Sequence, residues 1–163
     1  MAVNNRFIQL KQQLAALPPA GQVAALTHTL QQLIPIFGTL GIRVEAYEST
    51  RCQLHLPNLP GVQNGRGGIQ AGGMYTTAES AMALLVGANL TDDRTVVAKT
   101  VSIQYGRKAQ GDIRVTATLT AEQMQHIQET EKGELVLECD IMDETSTVVG
   151  HCQAEWVWYP VRP

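Results

Sequence analysis

Charge is scarce in this sequence. Asp, Glu, Lys and Arg make up 17% of its 163 residues, against about 25% in an average soluble chain. A basic surplus is missing as well. Twelve Lys and Arg face fifteen Asp and Glu, for a formal charge of −3, so no nucleic-acid partner is expected. Low charge does not mean disorder here. The apolar fraction of 44% is ordinary, and a chain of this length buries about two-thirds of its unfolded surface. Little polar surface is left to solvate, which points to surface buried between subunits.

Paired cysteines are absent too. Cys52, Cys139 and Cys152 form an odd, widely spaced set without a C-x-x-C. A zinc ribbon or redox motif is unsupported, and no metal is expected. The three read as reduced, small apolar residues in a reducing compartment. The opening MAVNNRFIQLKQQL lacks the charged start, unbroken apolar run and cleavage site of a secretory signal. The expected location is therefore cytoplasmic.

What is present reads as one domain over 1–163, with a helical extension at 1–35 and a core at 36–160. Phe7, Leu10, Leu14 and Leu17 mark one helical face, ended by Pro18-Pro19. A second helical run spans Ala20 to about Ile34 and stops at Pro35. From residue 41 the period changes to two. Ile42, Val44 and Ala46 alternate with polar neighbours, Glu48–Thr50 is a turn, and Cys52, Leu54 and Leu56 alternate again, which predicts a hairpin. Residues 57–68 hold two prolines and four glycines and read as a loop.

Residues 69–90, IQAGGMYTTAESAMALLVGANL, are helical in length, and Glu79 is their only charge. A membrane span would be marginal in length and too polar, given Gln70, Thr76, Thr77, Glu79, Ser80 and Asn89. A helix surrounded by protein fits better. The remaining chain supplies a sheet to surround it. Residues 95–105 are rich in Val, Thr and Ile. Ile113, Val115, Ala117 and Leu119 alternate. So do Leu135, Leu137, Cys139 and Ile141, and Val148, Cys152, Ala154, Trp156 and Trp158 share a face. Residues 106–111, 121–132 and 143–146 read as connections. The expectation is α+β: about six antiparallel strands around one long helix, with N-terminal helices outside.

A curved antiparallel sheet around a central helix resembles the hotdog fold, and the residues leading into the helix resemble that superfamily. Many hotdog acyl-CoA thioesterases carry Asn-x-x-Gly-x-x-His-Gly-Gly, then an acidic residue nine positions after the His. Here Asn64, Gly67 and Gly72 match, Gln70 takes the His position and Ala71 a Gly position, and Glu79 stands nine residues after Gln70. A poorly characterised bacterial branch is more similar. It reads roughly His-Ala-x-Ala-x-x-x-x-x-Glu, and later resembles Lys99-x-x-x-Ile103-x-Tyr105-x-x-x-Ala109-x-Gly111-Asp112. The resemblance covers about residues 35–160. It implies a thioester hydrolase without cofactor or metal, acting on an acyl-CoA or acyl-carrier-protein substrate, as a homodimer or homotetramer. The implied site residues are Glu79, Asn64, Gln70, Ala71 and Gly72.

The chemistry those residues could carry can be stated from first principles. Hydrolysis needs donors aimed at the developing oxyanion, and either an activated water or a carboxylate that attacks directly. The start of a helix at residue 70 offers unpaired N–H groups and the positive end of the dipole. Glu79 offers the carboxylate, and Asn64 could orient water or the carbonyl. Yet Glu79 lies about 12 Å along the axis from Ala71, so two antiparallel copies of the helix are needed to bring the groups together. Lys99, Arg107 and Lys108 could meet coenzyme A phosphates or form a solvated cluster.

Other readings compete. A cation such as Arg43, Lys99 or Arg107 could make Glu79 half of a structural ion pair. The glycines at 65, 67 and 68 lack the Gly-Lys-Ser/Thr of a phosphate cradle. Ser80 lacks a Gly-x-Ser-x-Gly elbow. Cys139 or Cys152 with His151 could suggest a thiol nucleophile, but His151 alternates away from Cys152. His28, His55 and His126 lack ligand spacing, and Trp156 and Trp158 read as core or interface. A hotdog protein that binds an acyl thioester or fatty acid without turnover is the main alternative. A hydratase would need a His–Asp pair that the spacing does not supply.

Overall fold

The computed structural model describes residues 5–161, so the outermost residues of the expected 1–163 domain lie outside the described chain. Three helices come first: α1 (Arg6–Leu14), α2 (Pro19–Leu33) and α3 (Pro35–Leu40). The strands are β1 (Arg43–Tyr47), β2 (Arg51–Leu56), β3 (Arg94–Tyr105), β4 (Ile113–Thr118), β5 (Gly133–Asp143) and β6 (Val148–Pro160). Helix α4 (Ala71–Gly87) follows β2, and α5 (Ala121–Glu129) joins β4 to β5. The six strands form one antiparallel sheet in the order β1-β2-β4-β5-β6-β3. The hotdog architecture expected from the resemblance is present.

Alternation explains most of the core. Cys52, Leu54, Leu56, Ile113, Val115 and Ala117 point to α4, as do Leu137, Cys139, Ile141, Cys152, Ala154, Trp156 and Trp158, and all are buried. All three cysteines are reduced. Burial pushes the Cys52 thiol up to about 12, and Cys139 lies directly opposite Cys152 across β5 and β6.

Four local expectations need correction. Pro35 ends α2 but also opens α3, because proline at the first helical position loses no hydrogen bond. The register slips between Val44 and Ala46, so Tyr47 rather than Ala46 turns inward. A second slip, between Ile141 and Met142, makes Val149 the buried residue and leaves Val148 exposed. Each bulge adds one residue and reverses the faces beyond it. Finally, the connection at 121–132 contains α5, started by a capping box in which Thr120 Oγ1 accepts from the Gln123 N–H and Gln123 Oε1 accepts from the Thr120 N–H.

The two sheet edges differ. Helix α2 covers the β1 edge: Thr27 Oγ1 accepts from the Val44 N–H at 2.9 Å, and Gln31 Nε2 donates to the Ile42 carbonyl at 3.0 Å. Strand β3 ends the sheet on the other side with no strand beyond it among the described residues. Helix α4 is likewise left uncovered along one stripe. Gly72, Tyr75, Thr76, Glu79, Ala83 and Gly87 make a stripe that its own sheet leaves partly or wholly exposed. No helix among the described residues is long and apolar enough to cross a membrane.

Candidate active site

The start of α4 is held from three directions. Gln70 is its N-cap, with extended backbone, and its Oε1 accepts from the Gly72 N–H. A Cβ at residue 72 would sit 2.7 Å from that oxygen, so any larger residue there would push the Gln70 side chain out of its capping position. The Gln70 carbonyl takes the Gly73 N–H at 2.9 Å. The N–H of Ala71 has no acceptor among the described residues. Tyr105, at the end of β3, donates its hydroxyl to the Ala71 carbonyl at 2.9 Å.

The loop before the helix is fixed by side chains. Asn64 Oδ1 accepts from the N–H groups of Arg66 at 2.9 Å and Gly68 at 3.4 Å, and its Nδ2 donates to the Ile69 carbonyl. Asn64 therefore shapes the turn that delivers Gln70. Farther back, Asp112 accepts from the Asn58 N–H at 2.8 Å and pairs with His55 Nε2 at 2.8 Å. The Asn58 N–H is the main cause holding the Asp112 carboxyl below its usual value. A cavity of about 190 Å³ opens at the helix start, lined by Asn64, Ala71, Met74, Tyr105, Arg107 and Lys108.

Glu79 lies two turns on, in a different cavity. This one holds about 270 Å³, and Ile34, Tyr47, Ser80, Ala83, Leu84 and Gly87 line it with Glu79. The walls are mainly apolar, and the Tyr47 hydroxyl is already committed to the Leu84 carbonyl at 2.8 Å. Burial pushes the Glu79 carboxyl above its ordinary value, opposed by a weak bond from the Ser80 hydroxyl at 3.4 Å. No Lys, Arg or His among the described residues forms an ion pair with it. The cations considered as structural partners lie elsewhere: Arg43 on the outer face under α2, Lys99 on β3 and Arg107 at the helix start.

The structure thus brings Asn64, Gln70, Ala71, Gly72, Arg107 and Lys108 together, and sets Glu79 and Lys99 apart from them. Lys99 is bonded to Glu155 at 2.7 Å, with Glu134 at 3.8 Å, and lines a cavity with Gly133 and Tyr159. The cause is strand geometry, since eight residues of strand and loop can span about 26 Å. His151 binds Asp140 at 2.9 Å on the outer face, away from the buried Cys152, so no thiol–imidazole pair forms. A His–Asp pair does exist, His55 with Asp112. It adjoins a wider cavity of about 730 Å³ under α2 that includes neither Glu79 nor the helix start. There Arg114 Nε binds both Glu45 oxygens at 2.9 Å, so the charges are largely spent on one another. Sequence patterning missed Tyr105 as a brace and Ile34 and Tyr47 as cavity walls. Tyr105 lay inside the quoted motif, but the other two reach the site only through tertiary packing.

Comparison with known proteins agrees with this fold. The profile of a family described as "Domain of unknown function (DUF4442)" matches residues 23–158. A Pseudomonas aeruginosa protein of unknown function, described as a "Probable Thioesterase", is 28% identical. The match spans 85% of this chain and 96% of that one at a TM-score of 0.75. A Haemophilus influenzae thioesterase, 18% identical, shares the fold over 84% of this chain and 92% of its own, with a TM-score of 0.69. A thioesterase family protein from Silicibacter pomeroyi does so at 14% identity, over 85% and 99%, also at 0.69. No curated protein matches the chain.

A desolvated, unpaired carboxylate has a measurable signature. In a carbon-detected NMR titration, Glu79 should titrate above the ordinary value of about 4.3. A raised folded-state pKa means that the stability Glu79 contributes is complete below its unfolded pKa and lost as pH rises through the folded one. Glu79→Gln should therefore melt no lower than wild type at neutral pH, with the difference shrinking in acid. A melting temperature several degrees lower would reveal a cation partner and return Glu79 to a structural role.

Proposed function

This chain belongs to the DUF4442 family, and we propose that it is a thioesterase, hydrolysing an acyl-CoA or acyl-carrier-protein thioester with Glu79 as general base. The observation that carries this reading is the Glu79 carboxylate itself, at the edge of an apolar cavity and without an ion-pair partner among the described residues. A raised pKa moves a carboxylate closer to the pH at which general bases work best. The Pseudomonas and Haemophilus neighbours lend support by fold and by their descriptions.

In this mechanism ionised Glu79 takes a proton from water, and the oxygen bonds to the thioester carbonyl carbon. The carbonyl oxygen becomes an oxyanion facing the Ala71 N–H and the positive end of α4. Gln70 adds a second donor, because its Oε1 is bound to Gly72 and both hydrogens of its Nε2 are unengaged among the described residues. Collapse of the intermediate breaks the C–S bond. The thiolate leaves with the proton Glu79 had taken, giving a carboxylic acid and a free thiol. Arg107 and Lys108, exposed beside the helix start, would bind the phosphates of the thiol carrier.

Two copies are required. Ala71 and Glu79 line separate cavities and lie about 12 Å apart along one helix. The uncovered stripe of α4 and the open β3 edge provide surface on which a second copy can pair, so that each site takes its donors from one subunit and its base from the other. A protein that binds the thioester without turnover remains the alternative, favoured by the Gln70 oxygen occupying the Gly72 N–H.

Three outcomes test this reading. Glu79→Gln should fold normally and lose about 10²–10⁴ in kcat, whereas retained wild-type turnover would remove Glu79 from the reaction. Ala71→Pro deletes the donor at a position where a helix tolerates proline. An equal mixture of Glu79→Gln and Ala71→Pro subunits should then regain about a quarter of wild-type activity through hybrid dimers, and no recovery, or an active monomer in sedimentation, would defeat the shared site. Neutralising Arg107 and Lys108 together should raise KM for acyl-CoA at low salt and leave kcat unchanged, while neutralising Lys99 should alter neither.

A further inference from the structure

We infer that the cavity beside Glu79 receives the acyl chain, that Ile34 and Tyr47 form its outer wall, and that Gly87 sets the longest chain it accepts. The inference rests on the thioesterase reading for its substrate, but the cavity makes its own case. The lining residues run in order along α4, with Glu79 and Ser80 at one end, Ala83 and Leu84 in the middle and Gly87 at the far end. Ile34, at the junction of α2 and α3, and the ring of Tyr47 close the side away from α4. The polar groups of this stretch are already engaged. The Tyr47 hydroxyl binds the Leu84 carbonyl, and Asn5 Nδ2 lies 3.4 Å from the Gly87 carbonyl and 3.0 Å from that of Ala88. Among the described residues little beyond Glu79 and Ser80 is left to bind a polar ligand, and an apolar chain is the chemistry that fits.

Length follows from two independent measures. From Glu79 to Gly87 the helix rises about 12 Å, the reach of an extended acyl chain on the order of ten carbons. The volume of about 270 Å³ gives nearly the same number, if a methylene fills about the 30 Å³ of a water. The substrate class is therefore a straight, medium-chain acyl thioester. Gly87 is where selection acts, because a Cβ there would meet nothing within 4 Å. A larger side chain at 87 enters open space, and leucine is also a better helix former than glycine.

The test is a chain-length series, from acetyl-CoA to tetradecanoyl-CoA, on wild type and Gly87→Leu. In wild type, kcat/KM should climb by up to about fourfold per added methylene and level off near decanoyl. Gly87→Leu should lose on the order of tenfold or more on decanoyl-CoA and stay within about twofold of wild type on butanoyl-CoA. Ile34→Trp, which fills the cavity from the opposite wall, should truncate the series in the same way. An unchanged profile in both folded variants overturns the assignment. A binding readout separates this from failure of the hydrolase reading. Sodium decanoate titrated into methyl-labelled protein should shift the Ile34 and Leu84 methyl signals in wild type and not in Gly87→Leu. If no acyl-CoA is hydrolysed but those shifts occur, the acyl cavity stands and the chain is a binding protein. If the shifts are absent from wild type, the cavity does not hold the chain, whatever the enzyme does.

Discussion

Helix α4 cannot stand in water alone, and the surrounding architecture follows from covering it. Nine of its seventeen residues are buried, spread around most of its circumference, whereas a surface helix buries only a stripe. Only a sheet that curves round the helix can meet so much of it. That need accounts for strands that stay apolar on the inward face from Cys52 to Trp158. The tryptophans of β6 add large, fully buried rings opposite Ala98 and Gly133, where the partner strands leave room for them. What the sheet cannot reach is as informative as what it covers. The remaining stripe carries Glu79, and an acid is too costly to bury fully without a partner.

Much of this was legible in the chain, because period-two alternation survives wherever pairing is regular. Residues 113–119 and 135–141 alternate as read, and the break at Pro57–Gly68 marks the loop before the helix. Patterning failed at Val44–Ala46 and at Val148–Val149, where a bulge reverses the faces. A bulge depends on which hydrogen bonds the partner strand offers, which one strand's alternation does not encode. Helix α5 was missed for another reason. Thr120 and Gln123 spell a capping box, but the nine residues that follow bury only Ile127, so the apolar signal was too thin to notice.

The site divides in the same way. Glu79 and the small residues around 71 stood out because each is out of place locally: a lone acid in an apolar run, and glycines where a helix should start. Tyr105, Ile34 and Tyr47 were ordinary in their own segments and gain their roles only through contacts far along the chain. Lys99 is the converse case. It is close in sequence to Arg107 and Lys108, yet an extended strand carries it away from them toward Glu155. Proximity in sequence is a poor guide to proximity in space along a strand, and a good one along a helix turn.

The residue at 70 shows why a departure from a pattern need not empty a site. An imidazole there would cap the helix and titrate near neutrality. The Gln70 amide caps it as well, through its oxygen on the Gly72 N–H, and carries no charge at any pH. Its orientation is fixed by that bond, since only the oxygen can accept from an N–H. Among the described residues lining the two cavities, the other titratable groups are Arg107, Lys108 and the phenols of Tyr47 and Tyr105, with burial raising both phenols. Neither phenol changes charge between acid and neutral pH. Under the proposed mechanism the ionisation of Glu79 would govern turnover in that range, and it is the desolvated setting of the carboxyl, not the cap, that raises its pKa.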